Sequence, residues 1–193
     1  MWRPLTGAEG VGPSDEELIS RVQKHDNRHA FAVLVRRYQS EIRNTLRRFT
    51  RGNEALADDL AQETFVKIHR YIGDFRGESS FRTWIYQVAY RCFLDEQRKH
   101  RPDTEEVAEH HLVTEEPHEG EAFMRDFNRA MAMLSDEQRQ AVHFSLQRGF
   151  AHPEIADIMN LPVGTVKTHI LRGRNKLQEL LSEWQEENSD EPR

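Results

Sequence analysis

Residues 160–177 read NLPVGTVKTHILRGRNKL, and this stretch decides the fold of the C-terminal part of the chain. Its pattern predicts a turn over residues 160–163 and then a helix to about Trp184, while residues 153–159 predict a shorter helix before the turn. At about 3.6 residues per turn, one side of the longer helix is apolar or small and is predicted to face a core. That side consists of Val166, Ile170, Gly173 and Leu177. A short helix, a tight turn and a second helix are typical of a helix-turn-helix.

The opposite side of this helix is predicted to carry cations, hydroxyl groups and one bare leucine. Its candidate DNA-contacting residues are Thr165, Lys167, Thr168, His169, Leu171, Arg172, Arg174 and Lys176. Lysine and arginine pair with phosphates and guanine edges, and a leucine can press on a thymine methyl group. The pattern favours DNA binding, although a solvated amphipathic helix with ordinary charges is an alternative that the pattern alone leaves open.

Almost every other ordered stretch also shows helical spacing. Residues 14–17 and 135–138 have the pattern of a capping box, which marks a helix start. Apolar residues recur at helical intervals over residues 31–49, 56–72, 81–92 and 123–134. Residues 73–79 are predicted to form a loop, and a helix through Val142 and Leu146 is predicted to stop at Gly149. Because no strand pattern competes with these stripes, the sequence predicts an all-α protein.

The net charge of −6 is distributed unevenly along the chain. Residues 103–121 contain eight carboxylates and no lysine or arginine, and residues 182–193 contain five carboxylates and one arginine. The rest of the chain is therefore net basic, which suits contact with a polyanion. We predict a flexible N-terminal extension (1–13), a helical domain (14–101), a flexible acidic linker (102–121), a second helical domain (122–182) and an acidic tail (183–193).

Composition also excludes several classes of protein. The longest apolar run, residues 30–35, is too short to span a bilayer, and residues 1–13 lack the apolar core of a signal peptide. A single cysteine, Cys92, excludes a disulfide framework and is expected to be a buried structural thiol. We expect a cytoplasmic protein that makes no membrane contact of its own. No catalytic set, phosphate loop or dinucleotide fingerprint can be placed, so neither an enzyme nor a cofactor is predicted.

Taken together, the motifs resemble the sigma-70 family of bacterial RNA polymerase initiation factors, and most closely its extracytoplasmic-function group. The resemblance covers about residues 14–101 and 122–182 in the family's order. DDLAQETFVKI at 58–68 resembles the polymerase-docking helix, and FRGESSFRTWIYQVA at 75–89 resembles the minus-ten promoter segment. Residues 134–142 (LSDEQRQAV) and residues 161–177 resemble the minus-thirty-five domain.

The resemblance implies three sets of contacts. Polymerase would be bound through its β′ coiled coil by Asp58, Asp59, Gln62 and Glu63. The minus-ten element would be held by Phe75, Arg76, Gly77, Ser79, Ser80, Arg82, Arg91, Arg98, Lys99 and Arg101. The minus-thirty-five element would be read by the eight residues of the basic helix face. The loop at 73–80 would take up an unstacked base, whereas the spacing of Trp84 with Phe81 and Val88 predicts a core residue rather than a stacking platform.

The implied function is that of an alternative sigma factor, responsive to stress or envelope signals. It would bind core polymerase, including its β′ coiled coil and β flap, and direct initiation at specific promoters. An anti-sigma protein that covers both domains would hold it inactive. The chain itself would carry no catalysis.

Three departures from the family's pattern bear on specificity. Tyr90-Arg91 stands where members commonly have Arg-Asn, so the usual asparagine contact cannot be carried over. Residues 151–154 read AHPE in place of Ser-Tyr-Glu-Glu, and a proline at a helix start is harmless. Thr168-His169 replaces a frequent Ser-Arg, and a mostly neutral imidazole contacts phosphate or guanine more weakly than arginine does.

Two other functions compete with this interpretation. A free-standing regulator could bind operator DNA through the helix-turn-helix, but it would not need the motifs at 58–68 and 75–89. A metalloenzyme is suggested by His110, His111 and His118 among carboxylates. That cluster lies in linker-like sequence without the spacing of a zinc site, which favours adventitious binding at most.

Overall fold

The protein is built from helices throughout the parts that the structure describes. The computed structural model describes residues 12–99 and 119–189, and side chains within residues 12–99 and 126–182. The helices are α1 (Asp15–His25), α2 (Arg28–Phe49), α3 (Glu54–Tyr71), α4 (Phe81–Lys99), α5 (Glu119–Ala132), α6 (Asp136–Val142), α7 (His152–Met159) and α8 (Val163–Ser189). The chain divides into two compact units, Met1–Thr104 and Glu105–Arg193. No strand occurs in the described ranges, and the prediction of an all-α protein with two helical domains is confirmed.

The helix ends follow the chemistry of their capping residues. The Ser14 hydroxyl accepts from the Glu17 amide at 3.2 Å, and Glu17 accepts from the Ser14 amide at 3.0 Å, which confirms the first capping box. Ser135 and Gln138 form the second one. Two further caps were not predicted from the sequence. Asn27 and Asn53 cap α2 and α3 through their side-chain oxygens.

Two helix bounds differ from the sequence prediction. Helix α5 begins at Glu119, inside the segment predicted as linker, and the predicted linker before residue 119 lies outside the described residues. Helix α8 continues past Trp184 to Ser189. The sequence QEEN after Trp184 holds good helix formers and no glycine, so nothing stops the helix there.

The N-terminal unit has one core formed by α1 to α4. On α2 the buried stripe runs through Leu34, Tyr38, Ile42, Leu46 and Phe49, each 7% exposed or less. Burial of each large apolar side chain contributes about 1.5–3 kcal/mol before entropy costs. Helix α1 is tied to this stripe by polar contacts as well, since Asp15 pairs with both Arg37 and the Tyr38 hydroxyl. Burial and the Asp15 hydrogen bond raise the pKa of Tyr38, so its hydroxyl stays a donor.

Cys92 on α4 is 1% exposed, as predicted for a structural thiol. Burial raises its pKa, although hydrogen bonds from Thr64 and the charge of Lys67 oppose the shift. Since the thiolate is the reactive form, alkylation of the native protein should be at least about a hundredfold slower than alkylation in urea. A Cys92→Ala variant carrying Ser40→Cys, at an exposed position of α2, would give the exposed rate for comparison. If the native protein were alkylated at Cys92 as fast as the variant is at the cysteine that replaces Ser40, α4 would be opening freely.

The C-terminal unit packs α5, α6 and α8 around a small core. Ala130, Met131, Leu134, Val142 and Leu177 form it, and all are 4% exposed or less. The helix predicted to run through Leu146 is α-helical only to Val142 and continues as a π-helical turn over His143–Gln147. This wider turn accompanies a buried imidazole: His143 pairs with Gln147 and accepts from Arg148 Nε at 3.4 Å. The chain then leaves the helix at Gly149, whose φ of 71° confirms the predicted stop.

Candidate functional site

The helix-turn-helix has a turn whose backbone hydrogen bonds are largely satisfied. Asn160 adopts the left-handed conformation (φ 52°), and the Leu161 amide donates to the Ala156 carbonyl at 3.0 Å. This is the hydrogen bond of a Schellman motif, in which asparagine replaces the usual glycine. Pro162 then stops α7 from continuing, and its carbonyl accepts from Val166 at 3.1 Å to start α8. The turn therefore fixes the direction in which α8 leaves.

The buried side of α8 is the one that the sequence predicted. Val166, Ile170 and Leu177 are 0%, 5% and 3% exposed. A Cβ added to Gly173 would lie 2.6 Å from Cγ2 of Val142, a distance that real side chains do not reach. Glycine is thus required because α6 and α8 approach closely at this position, and this contact fixes which side of α8 faces outward.

The opposite side of α8 presents three exposed cations, Lys167, Arg172 and Arg174. Among the side chains that the structure describes, none of them is held in an ion pair. Leu171 stands between them with 60% of its surface exposed. An exposed leucine between exposed cations suits contact with a thymine methyl group in a groove whose phosphates the cations can bind.

The remaining predicted contacts on α8 are less free. Lys176 donates to the Met133 carbonyl at 2.7 Å and thereby caps the chain just past α5. The Thr168 hydroxyl donates to the Gly164 carbonyl at 3.0 Å, within its own helix. Thr165 and His169 are half-buried. The structure therefore leaves an exposed centre formed by Lys167, Leu171, Arg172 and Arg174, whereas Thr168 and Lys176 are exposed but bonded to the backbone, and Thr165 and His169 are half-buried.

In the N-terminal unit, the loop predicted to contact the promoter (residues 73–80, the promoter loop) begins within a short 3-10 turn, Ile72–Asp74. Gly77 has a φ of 75°, a conformation that glycine adopts without strain. At the far end, the Ser80 hydroxyl accepts from the Thr83 amide at 3.0 Å and so caps α4. Arg76, Gly77 and Ser80 are exposed and Ser79 is half-buried, so the loop presents polar groups and bare backbone to solvent.

An aromatic cluster forms the wall beside this loop. The Phe75 ring lies 5.4 Å from that of Phe81 and 5.2 Å from that of Trp84, measured between ring centroids. Trp84 is half-buried rather than part of the core, because it lies at the rim of this cluster where α4 begins. A half-exposed indole beside a polar loop can stack on a base, so the prediction of a purely core role for Trp84 is too narrow.

The cations near the loop differ in their freedom. Arg82 lies 3.6 Å from Glu41 and stands over the Tyr86 ring at 5.5 Å. Farther along α4, Arg91 is exposed, and Arg98 and Lys99 form surface pairs with Asp95 and Glu96 at 3.6 and 3.3 Å. Exposed pairs of this kind are weak and can exchange for phosphate. Arg101 lies outside the described residues.

The predicted docking face on α3 is acidic and partly engaged. Asp59 and Gln62 are exposed, whereas Asp58 pairs with Arg43 at 2.9 Å. Glu63 accepts from Lys67 at 2.9 Å, and this hydrogen bond raises the pKa of Lys67 to about 12. Lys67 also lies 3.6 Å from Asp95 of α4. Asp59 and Gln62 are therefore the least committed members of the face.

An apolar groove that was not predicted from the sequence adjoins this face. It has a volume of about 510 Å³ between α2 and α3, and Gln62 forms part of its lining. Its apolar lining consists of Phe31, Val35, Ala61, Phe65 and Val66. Phe31 and Val35 belong to the predicted core stripe but are only half-buried, and Val66 is 67% exposed. The available signal was that these residues flank the buried stripe instead of lying at its centre.

These features define a two-domain protein with a helix-turn-helix in one unit and a separate helical surface in the other. A family model for sigma-70 region 2 matches residues 34–102, and a family model for sigma-70 region 4 matches residues 124–177. The chain belongs to the sigma-70 family and is of its extracytoplasmic-function type, which consists of transcription initiation factors rather than enzymes.

Individual relatives agree along most of the chain. The RNA polymerase sigma-H factor of Pseudomonas aeruginosa is 34% identical over 186 residues, covering 86% of this chain and 93% of that one. The ECF RNA polymerase sigma-E factor of Haemophilus influenzae is 33% identical over 187 residues, covering 87% of this chain and 97% of that one. Because the similarity includes the N-terminal motifs, it opposes the free-standing regulator considered above.

Two solved structures are similar to the chain. CnrH, in complex with the cytosolic domain of CnrY, matches with a TM-score of 0.66 and 25% identity, covering 87% of this chain and 97% of that one. The sigma factor RpoE from Bartonella quintana, in complex with the anti-sigma factor NepR, matches with a TM-score of 0.64 and 26% identity, covering 79% of this chain and 96% of that one.

Within the described residues, no helix combines the length and the apolar character that crossing a bilayer requires. The histidine cluster of the metalloenzyme hypothesis, at residues 110–118, lies outside those residues. So do residues 1–11 of the predicted N-terminal extension and the last four residues of the predicted tail.

Proposed function

We propose that this sigma factor binds core RNA polymerase through its N-terminal unit and directs initiation by holding two promoter elements, one with each unit. The enzyme supplies the catalysis, and the chain contributes binding energy alone. Its place of action is the cytoplasm, because that is where bacterial polymerase and promoters are found. The observation that carries the proposal is the agreement of both units with sigma-70 regions over most of the chain.

Docking on polymerase is assigned to the acidic face of α3 and the groove beside it. An apolar groove whose lining includes Gln62, with the exposed Asp59 one helical turn before it on α3, has the composition of a protein interface, in which apolar contact supplies affinity and polar groups set orientation. The β′ coiled coil is the proposed occupant. Asp58 and Glu63 contribute less, because each already has a cation beside it.

The minus-ten element is assigned to the loop and to the start of α4. A base that leaves the duplex loses stacking and pairing worth a few kcal/mol, and a pocket must replace them. Trp84 supplies an aromatic edge, the exposed loop supplies backbone groups, and Arg91 supplies a charge for phosphate. Arg91 stands where the family has asparagine, so the preferred sequence is expected to differ from the family's usual one.

The minus-thirty-five element is assigned to the exposed centre of α8. Lys167, Arg172 and Arg174 provide cations, and Leu171 provides an apolar contact. Neither unit has to bind DNA tightly alone, because a tether raises the effective concentration of the second contact. Core polymerase strengthens this effect by holding both units on one particle, with the β flap proposed as the second holding point.

Regulation by an anti-sigma protein is part of the proposal. Both solved relatives described above are held by a partner, and in one of them the partner is an anti-sigma factor. The exposed apolar groups of each unit, among them Val66 and Leu171, are surfaces that such a partner would cover.

The deciding experiment is run-off transcription with core polymerase on a library of random promoters. We expect transcripts that begin at defined positions downstream of two conserved elements with constant spacing. Core polymerase alone is the control. Transcription that starts at random, or that core polymerase alone produces equally well, would contradict the proposed function.

Arg172→Ala tests the assignment of α8. Loss of one arginine that contacts a base or phosphate should weaken use of the upstream element by about 1–3 kcal/mol, or about 5- to 150-fold, while association with core polymerase is unchanged. Arg129→Ala is the matched control, since it removes the same charge from the same unit at a half-exposed surface pair. If Arg172→Ala abolished core binding instead, the assignment of the two units would be wrong.

A further inference from the structure

Gln23 of α1 contacts the base of the promoter loop, although it belongs to none of the predicted site residues. Its Nε2 donates to the Ile72 carbonyl at 2.8 Å and to the Phe75 carbonyl at 3.0 Å. These two carbonyls stand at the two ends of the 3-10 turn that leads into the loop. One side chain therefore spans the turn from a helix about 50 residues earlier.

The chemistry of the contact allows only one orientation of the side chain. Both partners are carbonyl oxygens, so the amide must present its NH₂ group, which has one N–H for each of them. The Ile72 carbonyl accepts a second hydrogen bond, from the Phe75 amide at 3.2 Å. The turn is thus closed by its own backbone and fastened to α1 by the glutamine.

Fixing Phe75 has a direct consequence for the loop. Its ring packs on Phe81 and Trp84, so both the backbone and the ring of this residue are held in place. Ser80 fixes the far end through its cap on α4. Residues 76–79 therefore lie between two fixed residues, Phe75 and Ser80. The hydrogen bond that fixes the Phe75 carbonyl comes from Gln23, which is distant in sequence, whereas the Ser80 cap is a local contact.

We propose that Gln23 is a positioning residue for capture of the minus-ten base, acting through the Ile72 and Phe75 carbonyls on the loop that receives the base. This inference rests on the proposed function. A loop that is already ordered loses less conformational freedom when it closes on a base, so the preorganisation appears as affinity for the unpaired strand.

The same contact contributes little to the fold itself. Gln23 is exposed, and one of its two hydrogen bonds is open to solvent. Helix α1 is held independently by the buried side chains of Leu18, Ile19 and Val22. Removal of the amide is therefore expected to leave the unit folded and to release only the loop.

The test compares Gln23→Met with Gln23→Lys in full-length protein bound to core polymerase. Methionine matches glutamine in length but donates no hydrogen bond, whereas lysine keeps a donor on a stem of similar reach. The probe is a fluorescent single-stranded oligonucleotide with the minus-ten sequence selected by wild-type protein. We expect the methionine variant to bind it about tenfold more weakly and the lysine variant to recover part of the loss.

One control variant and three control measurements separate positioning from a structural defect. Lys24→Met changes the neighbouring exposed residue of α1 and should bind like wild type. Thermal unfolding, core association and binding to duplex with the upstream element should be unchanged in Gln23→Met, because none of them uses the loop. Transcription from duplex promoters should fall with strand binding.

The outcomes distinguish this inference from the function on which it rests. If wild-type holoenzyme binds the strand and Gln23→Met binds it equally well, the role of Gln23 is refuted and the proposed function stands. If Gln23→Met loses strand binding, core association and thermal stability together, Gln23 is merely structural and the inference is also refuted. If wild-type holoenzyme fails to bind any selected strand, the minus-ten assignment itself is wrong.

Discussion

Asp59→Lys is expected to remove most of the affinity of this sigma factor for core polymerase. Asp59 is exposed on α3 one helical turn before Gln62, which lines the apolar groove, and among the side chains that the structure describes Asp59 has no ion-pair partner. A reversed charge at the centre of an interface loses a favourable contact and introduces a repulsive one, which typically costs about 2 kcal/mol or more, or about 30-fold in affinity. Binding of labelled protein to core polymerase measures the loss directly.

Glu16→Lys is the matched control for Asp59→Lys. Glu16 is exposed in the first turn of α1, so this variant changes the net charge equally in the same unit. It should bind core polymerase nearly as well as wild type. The Asp59→Lys protein should retain its circular dichroism spectrum and the contacts of α8 with upstream DNA at high protein concentration. Equal loss in both variants would mean that overall charge, and not this face, governs docking.

Gly173→Val should destabilise the C-terminal unit by about 3 kcal/mol. The Cβ alone would lie 2.6 Å from Cγ2 of Val142, and the two valine methyl groups add further overlap. Val142 cannot yield easily, because it is fully buried and its branched side chain has one favoured rotamer in a helix. Native-state hydrogen exchange of the α6 and α8 amides in the full-length protein reports the loss of stability.

A compensating pair makes this prediction sharper. Gly173→Ala introduces the clash but gains about 1 kcal/mol of helix propensity, so its net cost should be smaller than that of valine. Addition of Val142→Ala removes the atom that the new Cβ meets, so the double variant should lose less stability than the sum of the losses of the two single variants. If the two losses simply added, close packing at Gly173 would not be the cause.

Local features of this protein were predictable because they depend on neighbours within one or two turns. Both capping boxes follow from a serine and an acceptor three residues later. The buried side of α8, including Gly173, follows from helical periodicity. The predicted turn at residues 160–163 was confirmed because Asn160 and Pro162 each restrict the backbone in a known way.

The contacts that escaped prediction join residues far apart in sequence. Gln23 reaches Ile72, and Lys176 reaches Met133, 43 residues away. The end of a long flexible side chain can reach many positions. Helical periodicity shows from which side of the helix such a side chain projects, but not which group it contacts. The groove was missed for a related reason. The sequence does not distinguish a buried apolar residue of a stripe from a partly exposed one, because the exposure of Phe31 and Val35 depends on how α2 and α3 pack together.

The specific roles of the predicted site residues remain predictions. The structure places Gln62 in the lining of the groove, packs the Phe75 ring at the start of the promoter loop on two other aromatic rings, and leaves Lys167, Arg172 and Arg174 exposed on α8. Sequence alone cannot rank these residues, because it does not show that Asp58, Glu63 and Lys176 already have partners.

In the proposed complex, the pairing of Arg82 with Glu41 affects how promoter binding depends on salt. Before any DNA arrives, the guanidinium has a carboxylate 3.6 Å away. A phosphate that contacts Arg82 must displace this carboxylate, and the freed Glu41 then repels the strand and attracts cations. The contact therefore releases fewer counterions on balance than that of an unpaired arginine, and we expect it to depend less on the salt concentration. Arg82 would accordingly bind unrelated polyanions more weakly than an unpaired arginine does.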